Sequence, residues 1–182
     1  MDNKVKFLIV GRSGVGKSSI IKEVCKRTGM NYLKSYTTRP KREDDGDYSD
    51  HTFIAEAEAD ELKQNAIAWS QIGKHQYFAT EQQLSESDFY IIDPIGVEHI
   101  LEHYGDYYDF KIVYIRASNA DAEQRTQDRT NYKFDERRKQ ENEEFSEFER
   151  TQQWDYHLLN NGTFEEGVEK MLSIISKAKE KK

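Results

Sequence analysis

The stretch that most constrains the fold of this chain is an octapeptide near its N-terminus, Gly11-Arg12-Ser13-Gly14-Val15-Gly16-Lys17-Ser18. It matches the pattern G-x-x-x-x-G-K-[ST] at every fixed position. The run from Lys4 to Val10 before it has the composition of a buried strand, and residues 19–28 after it carry apolar side chains at helical spacing. A strand, a glycine-rich loop and a helix in this order predict a phosphate-binding loop, because backbone amides then face an anion at a helix start.

Each group of this P-loop has an expected role towards a nucleoside triphosphate. Lys17 would reach the β- and γ-phosphates, and the hydroxyl of Ser18 would coordinate Mg²⁺. ATP and Mg²⁺ are therefore the predicted co-substrate and metal. The residues predicted to surround the phosphates are Gly11, Ser13, Gly14, Val15, Gly16, Lys17, Ser18 and Ser19. The alternative, a glycine turn that matches by chance, leaves the flanking strand and helix unexplained.

Composition limits the classes of partner. The 182 residues suffice for one α/β domain, and the net charge of −7 argues against a broad nucleic-acid surface. The single cysteine, Cys25, excludes an internal disulfide framework and fits a reducing cytoplasm, and its place on an apolar helix face predicts core packing. No apolar run approaches the roughly 20 residues of a membrane span, and the immediate N-terminal strand leaves no room for a signal peptide. We therefore expect a cytoplasmic protein with nucleotide partners, no nucleic acid and no membrane; the oligomeric state is open.

Apolar runs and helical periods alternate along the chain, which predicts an α/β fold with a P-loop NTPase-type parallel sheet flanked by helices. The predicted strands are 4–10, 32–36, 52–54, 67–72, 76–79, 88–93, 110–115 and 154–159. The predicted helices are 19–28, 55–65, 81–87, 95–104, 164–179 and segments of 119–150, which is interrupted near 130–132. We predict a single domain with a core (1–34, 81–123 and 151–182), a small β-rich acceptor-binding insertion (35–80) and a helical lid (124–150).

Asp93 ends an apolar strand, where P-loop proteins keep a carboxylate that orients Mg²⁺ and its waters. Pro94 directly after it fits the first turn of a helix equally well, so Asp93 could instead cap that helix. Both interpretations stay open.

Two groups of arginines are candidates for binding phosphate, since planar guanidinium groups bind phosphate oxygens in bidentate fashion. Arg39 and Arg42 lie on either side of a proline. The second group is Arg125, Arg129, Arg137 and Arg138. The alternative for these four is a solvated helix surface laced with glutamates such as Glu136 and Glu141.

These residues resemble the guanylate kinase family over nearly the whole chain. The motifs that carry the resemblance are Ser35-x-Thr37-Thr38-Arg39-x-x-Arg42, Gly46-Asp47, Trp69 with Tyr77, Asp93, Arg125-x-x-x-Arg129, Arg137-Arg138, Asp155-Tyr156 and Asn160. The resemblance implies ATP-dependent phosphoryl transfer to a nucleoside monophosphate, in which GMP and ATP give GDP and ADP.

The resemblance also implies roles for particular residues. Arg39, Arg42 and Tyr77 would hold the acceptor phosphate, and Ser35 would contact the base. Among the acceptor-binding residues we also count His51, at the position of a phosphate-binding tyrosine, and Asp93. Arg125, Arg129 and Arg138 would close on the phosphates, with Asn160 near the adenine. Lys17, Arg39, Arg129 and Arg138 are the predicted catalytic residues, and Ser18 and Asp93 the predicted metal ligands.

The base-reading positions depart from the family. Ala68 stands where the family has a glutamate, and Phe78 and Ala79 replace a glycine and a hydroxyl residue. Ile95 replaces the second aspartate of Asp-x-Asp. We therefore hypothesise a relaxed or altered base specificity, with Gln71, Gln76 and Thr80 as remaining polar groups.

Three alternatives remain. One is a zinc-peptidase pattern, which matches His99-Ile100-Leu101-Glu102-His103; the competing interpretation of these residues is a solvated helix face. The chain could be a kinase of another phosphorylated acceptor, such as a different nucleotide or a sugar phosphate. It could also be a non-catalytic binding module, although such a module has no need of Lys17. The aromatic residues Phe145 and Phe148 are predicted to pack in the core.

Overall fold

The computed structural model describes residues 4–41, 50–72, 74–127 and 133–180. The strands in this part of the chain are β1 (Val5–Val10), β2 (Ser35–Thr37), β3 (His51–Phe53), β4 (Ala66–Ile72), β5 (His75–Thr80), β6 (Phe89–Ile91), β7 (Asp109–Arg116) and β8 (Tyr156–Leu159). The helices are α1 (Lys17–Thr28), α2 (Glu56–Leu62), α3 (Glu81–Glu86), α4 (Pro94–Tyr104), α5 (Asn119–Gln124), α6 (Phe134–Thr151) and α7 (Phe164–Glu180).

A four-stranded parallel sheet in the order β6-β1-β7-β8 forms the centre of the protein. All six residues of β1 are buried, as a parallel strand covered on both faces requires. On one face Phe7 and Ile9 pack with α1 and α7; on the other, Leu8 and Val10 pack with α4 and α6. The predicted fold class is confirmed.

A second, smaller sheet has the order β3-β2-β5-β4 and lies within residues 35–80. Strand β2 runs parallel to β3 and antiparallel to β5, and β4 pairs antiparallel with β5. The register of β4 shifts between Ala66 and Ala68. This sheet lies in the predicted insertion, although the division of the chain into core, insertion and lid stays a prediction.

Element ends are where the sequence prediction was least accurate. The helix predicted over 55–65 ends at Leu62 and continues as a 3₁₀ turn, Lys63–Asn65. The strand predicted from residue 32 begins at Ser35, while Tyr32 makes only an isolated bridge to Phe89.

A buried lysine joins the core sheet to α3. Lys6 is only 2% exposed. Its ammonium group donates to the carbonyl oxygens of Leu84, Ser85 and Ser87 at 2.5, 3.1 and 2.6 Å. A cation at the C-terminal end of a helix also interacts favourably with the helix dipole. Lys6 therefore fixes the end of α3 against β1.

Two further expectations concern Cys25 and the bilayer. Cys25 is half-buried against the α1–α7 side of the core, and this burial raises the pKa of its thiol to about 11. It is thus a packing residue, as predicted. No helix in the described part of the chain is long and apolar enough to cross a membrane.

Candidate active site

The phosphate-binding loop joins β1 to α1 and depends on two glycines in the left-handed region. Gly14 and Gly16 have φ angles of 80° and 96°. A Cβ atom on Gly14 would also lie 2.5 Å from the carbonyl oxygen of Ala122 in α5. Glycine is therefore required here both by the backbone angle and by the close approach of α5.

Two side chains predicted to bind the donor lie on this loop. The ammonium of Lys17 donates to the carbonyl oxygens of Gly11 and Arg12 at 2.5 and 3.0 Å, across the rim of the loop. The hydroxyl of Ser18 donates to the carboxylate of Asp50, whose other oxygen lies 2.8 Å from Lys22 Nζ. A hydroxyl and a carboxylate oxygen are ligands that Mg²⁺ accepts. The residues present fit this metal.

The strand predicted over 88–93 ends at Ile91, so Asp93 lies two residues beyond β6 rather than at its end. One of its oxygens accepts from the backbone N–H of Gly96 at 2.7 Å. Pro94 occupies the first turn of α4, so Asp93 caps this helix. The side chain also lines the large cleft described below. Its predicted role as a metal ligand stays a prediction.

The second sheet brings three predicted acceptor residues together. Ser35 Oγ lies 2.8 Å from His51 Nδ1, a hydrogen bond between neighbouring strands β2 and β3. The ring of His51 contacts the ring of Tyr77 edge-on, with the centroids 5.4 Å apart. Because Tyr77 belongs to β5, the cluster draws on three strands of this sheet.

Two cavities connect this cluster with the phosphate-binding loop. A cavity of about 280 Å³ lies over the loop, between Gly16, Lys17 and the pair Ser35 and His51. A cleft of about 720 Å³ is lined by Lys17, Ser35, His51 and Tyr77 together. The donor and acceptor residues predicted from the sequence thus face a shared space.

Of three further arginines predicted to bind phosphate, the structure describes only Arg39. Arg39 is 9% exposed, donates from Nη1 to the Pro40 carbonyl oxygen at 3.0 Å, and lies over the Phe53 ring. Its role stays a prediction. Arg42 and Arg129 lie outside the residues that the structure describes.

On the donor side, Arg125 and Asn160 meet at the P-loop. Arg125 Nη2 donates to the carbonyl oxygen of Asn160 at 3.0 Å. The Asn160 side chain donates from Nδ2 to the Val15 carbonyl oxygen at 2.9 Å. The two residues expected near the nucleotide are therefore joined to each other and to the loop.

Helix α6, the longest element of the predicted lid, contacts the same loop through a buried carboxylate. Glu141 is 1% exposed, and one of its oxygens accepts from the backbone N–H of Ser13 at 2.7 Å. Its other oxygen accepts from Arg138 Nη1 at 3.0 Å, and Arg138 Nη2 donates to the Ser13 carbonyl oxygen at 3.4 Å. The alternative of a solvated helix face is therefore wrong for Glu141, although it fits the exposed pair of Lys133 and Glu136.

Arg12 forms a second contact between the loop and α6. Its guanidinium donates to both oxygens of Glu149, at 3.1 and 3.0 Å, and to the side-chain oxygen of Asn142 at 2.5 Å. The hydroxyl of Tyr114 also donates to Glu149. Although burial opposes it, the hydrogen bonds from Arg12 and Tyr114 lower the pKa of Glu149, so this carboxylate is ionised and anchors the loop to the helix.

The histidines of the zinc-type pattern lie on an exposed face of α4. The rings of His99 and His103 stack with centroids 4.2 Å apart, and His103 Nδ1 donates to the His99 carbonyl oxygen at 2.9 Å. Within residues 4–41, 50–72, 74–127 and 133–180, no group of three or more His, Cys, Asp or Glu side chains could hold a metal ion. This geometry favours the solvated helix face.

Comparison with known proteins identifies the family. The guanylate kinase family model matches residues 4–178. The chain is 32% identical to the guanylate kinase of Thermotoga maritima over 178 residues, which are 93% of this chain and 84% of that protein. The chain belongs to the guanylate kinase family. It is also 29% identical to the guanylate kinase of Prochlorococcus marinus, over 96% of this chain and 99% of that one.

The fold agrees with this membership. The guanylate kinase of Anaplasma phagocytophilum superposes with a TM-score of 0.67, covering 98% of this chain and 87% of that one. At 16% identity the match shows the fold alone. The predicted resemblance to the guanylate kinase family, and the assignment to the nucleoside monophosphate kinases, are confirmed.

The residues at which this chain departs from the guanylate kinase family form an apolar part of the cleft wall. Ala68 and Phe78 line the cleft and make this wall apolar, and Phe78 is packed against the ring of Tyr36 at 5.5 Å. Ile95, also in the lining, is 70% exposed. Of the polar groups considered as substitutes, Gln76 accepts from Trp69 Nε1 at 3.2 Å and is thus engaged. Ala68, Phe78 and Ile95 themselves contribute no charged group to the cleft lining.

Two site residues were missed from the sequence. Asp50 follows an acidic, turn-rich stretch in which no carboxylate stands out, and Glu141 is one of many glutamates on α6. Each contacts the P-loop across a long chain separation, 32 residues for Asp50 and Ser18 and 128 for Glu141 and Ser13. The only sequence signal is that Glu141 shares a helix face with Phe145 and Phe148, where a charge is unexpected.

Proposed function

We propose that this protein transfers the γ-phosphoryl group of ATP to the phosphate of GMP, giving ADP and GDP. The observation that carries the proposal is the cleft of about 720 Å³ in which Lys17 of the donor loop and the Ser35, His51 and Tyr77 cluster face each other. An acceptor seated on the cluster then has its phosphate directed at the donor. Guanosine phosphates are the substrates that the names of the relatives imply.

Positioning and charge are sufficient for this reaction. The acceptor phosphate is itself the nucleophile, so no general base is needed. Lys17 would exchange its carbonyl partners on Gly11 and Arg12 for the β- and γ-phosphates, and the lid arginines would neutralise the transferred group. Mg²⁺, when bound, neutralises charge on the β- and γ-oxygens. Ser18 would hold it, with Asp50 or Asp93 as the nearby carboxylate.

The base specificity follows from the apolar wall. Ser35 would contact the guanine, but Ala68 removes the negatively charged partner that the family places beside it. A buried hydrogen-bonding group that rejects a wrong base contributes large discrimination factors, and its loss lowers them. We therefore infer that GMP is the preferred acceptor with reduced discrimination against other monophosphates.

The setting of the reaction is the reducing cytoplasm, where ATP and Mg²⁺ are abundant. The half-buried single Cys25 and the net charge of −7 support this setting and small nucleotide partners rather than nucleic acid.

The test is a kinase assay over a panel of acceptors. Purified protein with ATP and Mg²⁺ is given GMP, dGMP, AMP, CMP or UMP, and kcat/KM is measured for each by ADP release. We expect GMP to have the highest value, by less than about a thousandfold. A preference of several thousandfold would show that other residues read guanine. No acceptor-dependent ADP release with any of the five would contradict the kinase assignment.

A further inference from the structure

The carboxylate of Glu141 is the most deeply buried charge on the lid helix. The side chain is 1% exposed, although α6 carries many glutamates that lie in solvent. Charged side chains are almost never fully buried unless hydrogen-bonded partners compensate the loss of water. The partners of Glu141 therefore indicate why it is held there.

All of these partners belong to the phosphate-handling parts of the protein. One oxygen accepts from the Ser13 backbone N–H at 2.7 Å and lies 3.3 Å from Arg137 Nε. The other accepts from Arg138 Nη1 at 3.0 Å. A single carboxylate thus connects the P-loop with two consecutive arginines of the lid helix.

Arg138 is held against the P-loop through its two terminal nitrogens, while its Nε is buried without a partner in the described part of the chain. Its Nη1 donates to Glu141 and its Nη2 to the Ser13 carbonyl oxygen. The buried Nε has no acceptor among the described residues. A buried N–H of a charged group without an acceptor is costly, and a guanidinium edge suits two phosphate oxygens. Arg138 also lines a cavity of about 230 Å³ beside the P-loop, together with Arg12 and Val15.

We propose that Glu141 is a positioning residue for phosphoryl transfer, which fixes the guanidinium of Arg138 on the P-loop before the reaction. This rests on the proposed function. Preorganised donors stabilise a transition state without reorganising at the moment of reaction. Glu141 touches no substrate in this account and acts through Arg138, which it ties to the Ser13 amide.

The first test is a double-mutant cycle. Glu141→Gln keeps the shape and an oxygen acceptor but loses the charge that orients Arg138. We expect it to lower kcat about tenfold with little change in KM for the monophosphate, and Arg138→Ala to lower kcat about a hundredfold. In the Arg138→Ala background, Glu141→Gln should change kcat by less than about twofold, because residues acting as one unit are not additive.

The matched control lies on the same helix. Glu147→Gln breaks an ion pair with Arg150 in which both side chains are at least 60% exposed, and it should leave kcat unchanged. Thermal unfolding of every variant separates a catalytic loss from a loss of folded protein. A purely structural role would move kcat by the same factor in both backgrounds, or only through unfolding, and either result overturns the proposal.

The second test needs no turnover. In the unaltered protein the Ser13 amide should exchange slowly with solvent deuterium, and in Glu141→Ala, which removes the acceptor, at least tenfold faster, as measured by NMR. Equal exchange in both proteins would overturn the contact and the proposal with it. An unaltered protein that phosphorylates no monophosphate overturns the proposed function instead. An active protein with an additive cycle overturns the role of Glu141 alone.

Discussion

Lys17 is the residue on which phosphoryl transfer should depend most strongly. Its ammonium faces the cleft, so Lys17→Met removes the donor charge without touching the core. We predict a fall in kcat of about a hundredfold or more, since the lost group stabilises the transition state. Lys26→Met, at an exposed position near the end of the same helix, is the control and should be neutral. Near-normal turnover by Lys17→Met would mean that the loop does not bind the donor.

Ala68 is the position at which specificity can be altered by one side chain. Ala68→Glu should place a carboxylate on the apolar wall of the cleft, opposite the N–H edge of guanine. We predict a gain for GMP over AMP of about 1–2 kcal/mol in kcat/KM, the value of one charge-assisted hydrogen bond. Ala68→Gln, of equal length and no charge, should gain less. An equal effect on both acceptors would show that this wall does not face the base.

At the residue scale, the sequence predicted the site residues that a local motif identifies and missed those whose role depends on a contact with a distant segment. The loop residues were found because a fixed spacing places their amides on one anion. Ser35, His51 and Tyr77 were named individually, and the structure adds their mutual contacts. Asp50 and Glu141 were not predicted as site residues, because the role of each carboxylate depends on a partner that a single sequence does not identify.

At the element scale, α3 is a six-residue helix that depends on neighbouring groups at both ends. The Thr80 hydroxyl accepts from the backbone N–H of Gln83, and the Gln83 side-chain oxygen accepts from the backbone N–H of Thr80. The N-terminus of α3 therefore has a capping box. The other end is held by Lys6 through three carbonyl groups. A helix this short is not stable alone, so these contacts decide whether it forms.

Lys6 therefore offers a test of this element. Lys6→Met keeps most of the buried length but leaves the carbonyl groups of Leu84, Ser85 and Ser87 without their donor. We predict a loss of about 1–3 kcal/mol in the free energy of unfolding, measured by urea denaturation. The control Lys4→Met removes only an ion pair with Asp88 at a lysine that is 56% exposed, and should cost less than about 1 kcal/mol. Equal losses would show that Lys6 contributes by charge alone.

Strands and helices were predictable because their apolar periods are regular. Five of the six buried residues of β1 are apolar, and α7 shows its buried positions at helical spacing. Their ends were less predictable, since the last residue of an element depends on tertiary contacts. Trp154, predicted as strand, instead packs its ring against Tyr114 and Phe148, and β8 begins at Tyr156.

At the scale of the whole molecule, the predicted donor residues on the loop after β1 and the predicted acceptor residues on the second sheet line one cleft. Each substrate should therefore stabilise the folded protein by mass action. At about a hundred times its dissociation constant, ATP should add about 2.7 kcal/mol and raise the melting temperature by roughly 5–10 °C. Differential scanning fluorimetry with ATP, GMP and both measures this.

The variant Lys17→Met separates the two sites in that measurement. It should lose most of the shift with ATP and keep the shift with GMP, because the acceptor cluster lies in the other sheet. Loss of both shifts would mean that Lys17 supports the acceptor site too. The fold class was predictable as a whole because strand and helix alternate along the chain, whereas the position of the second sheet over the loop depends on pairings between distant segments.

The length of α6 has a mechanical consequence. Its 18 residues span about 27 Å, and its C-terminal half is embedded in the core by Phe145 and Phe148, each 3% exposed. Because this half is fixed in the core, the helix can bend but cannot rotate as a rigid body. Movement of Arg137 and Arg138 away from the loop would therefore have to unwind or flex the first turns of the helix. The distance that these arginines can move is therefore limited by how far about two turns of the helix can bend.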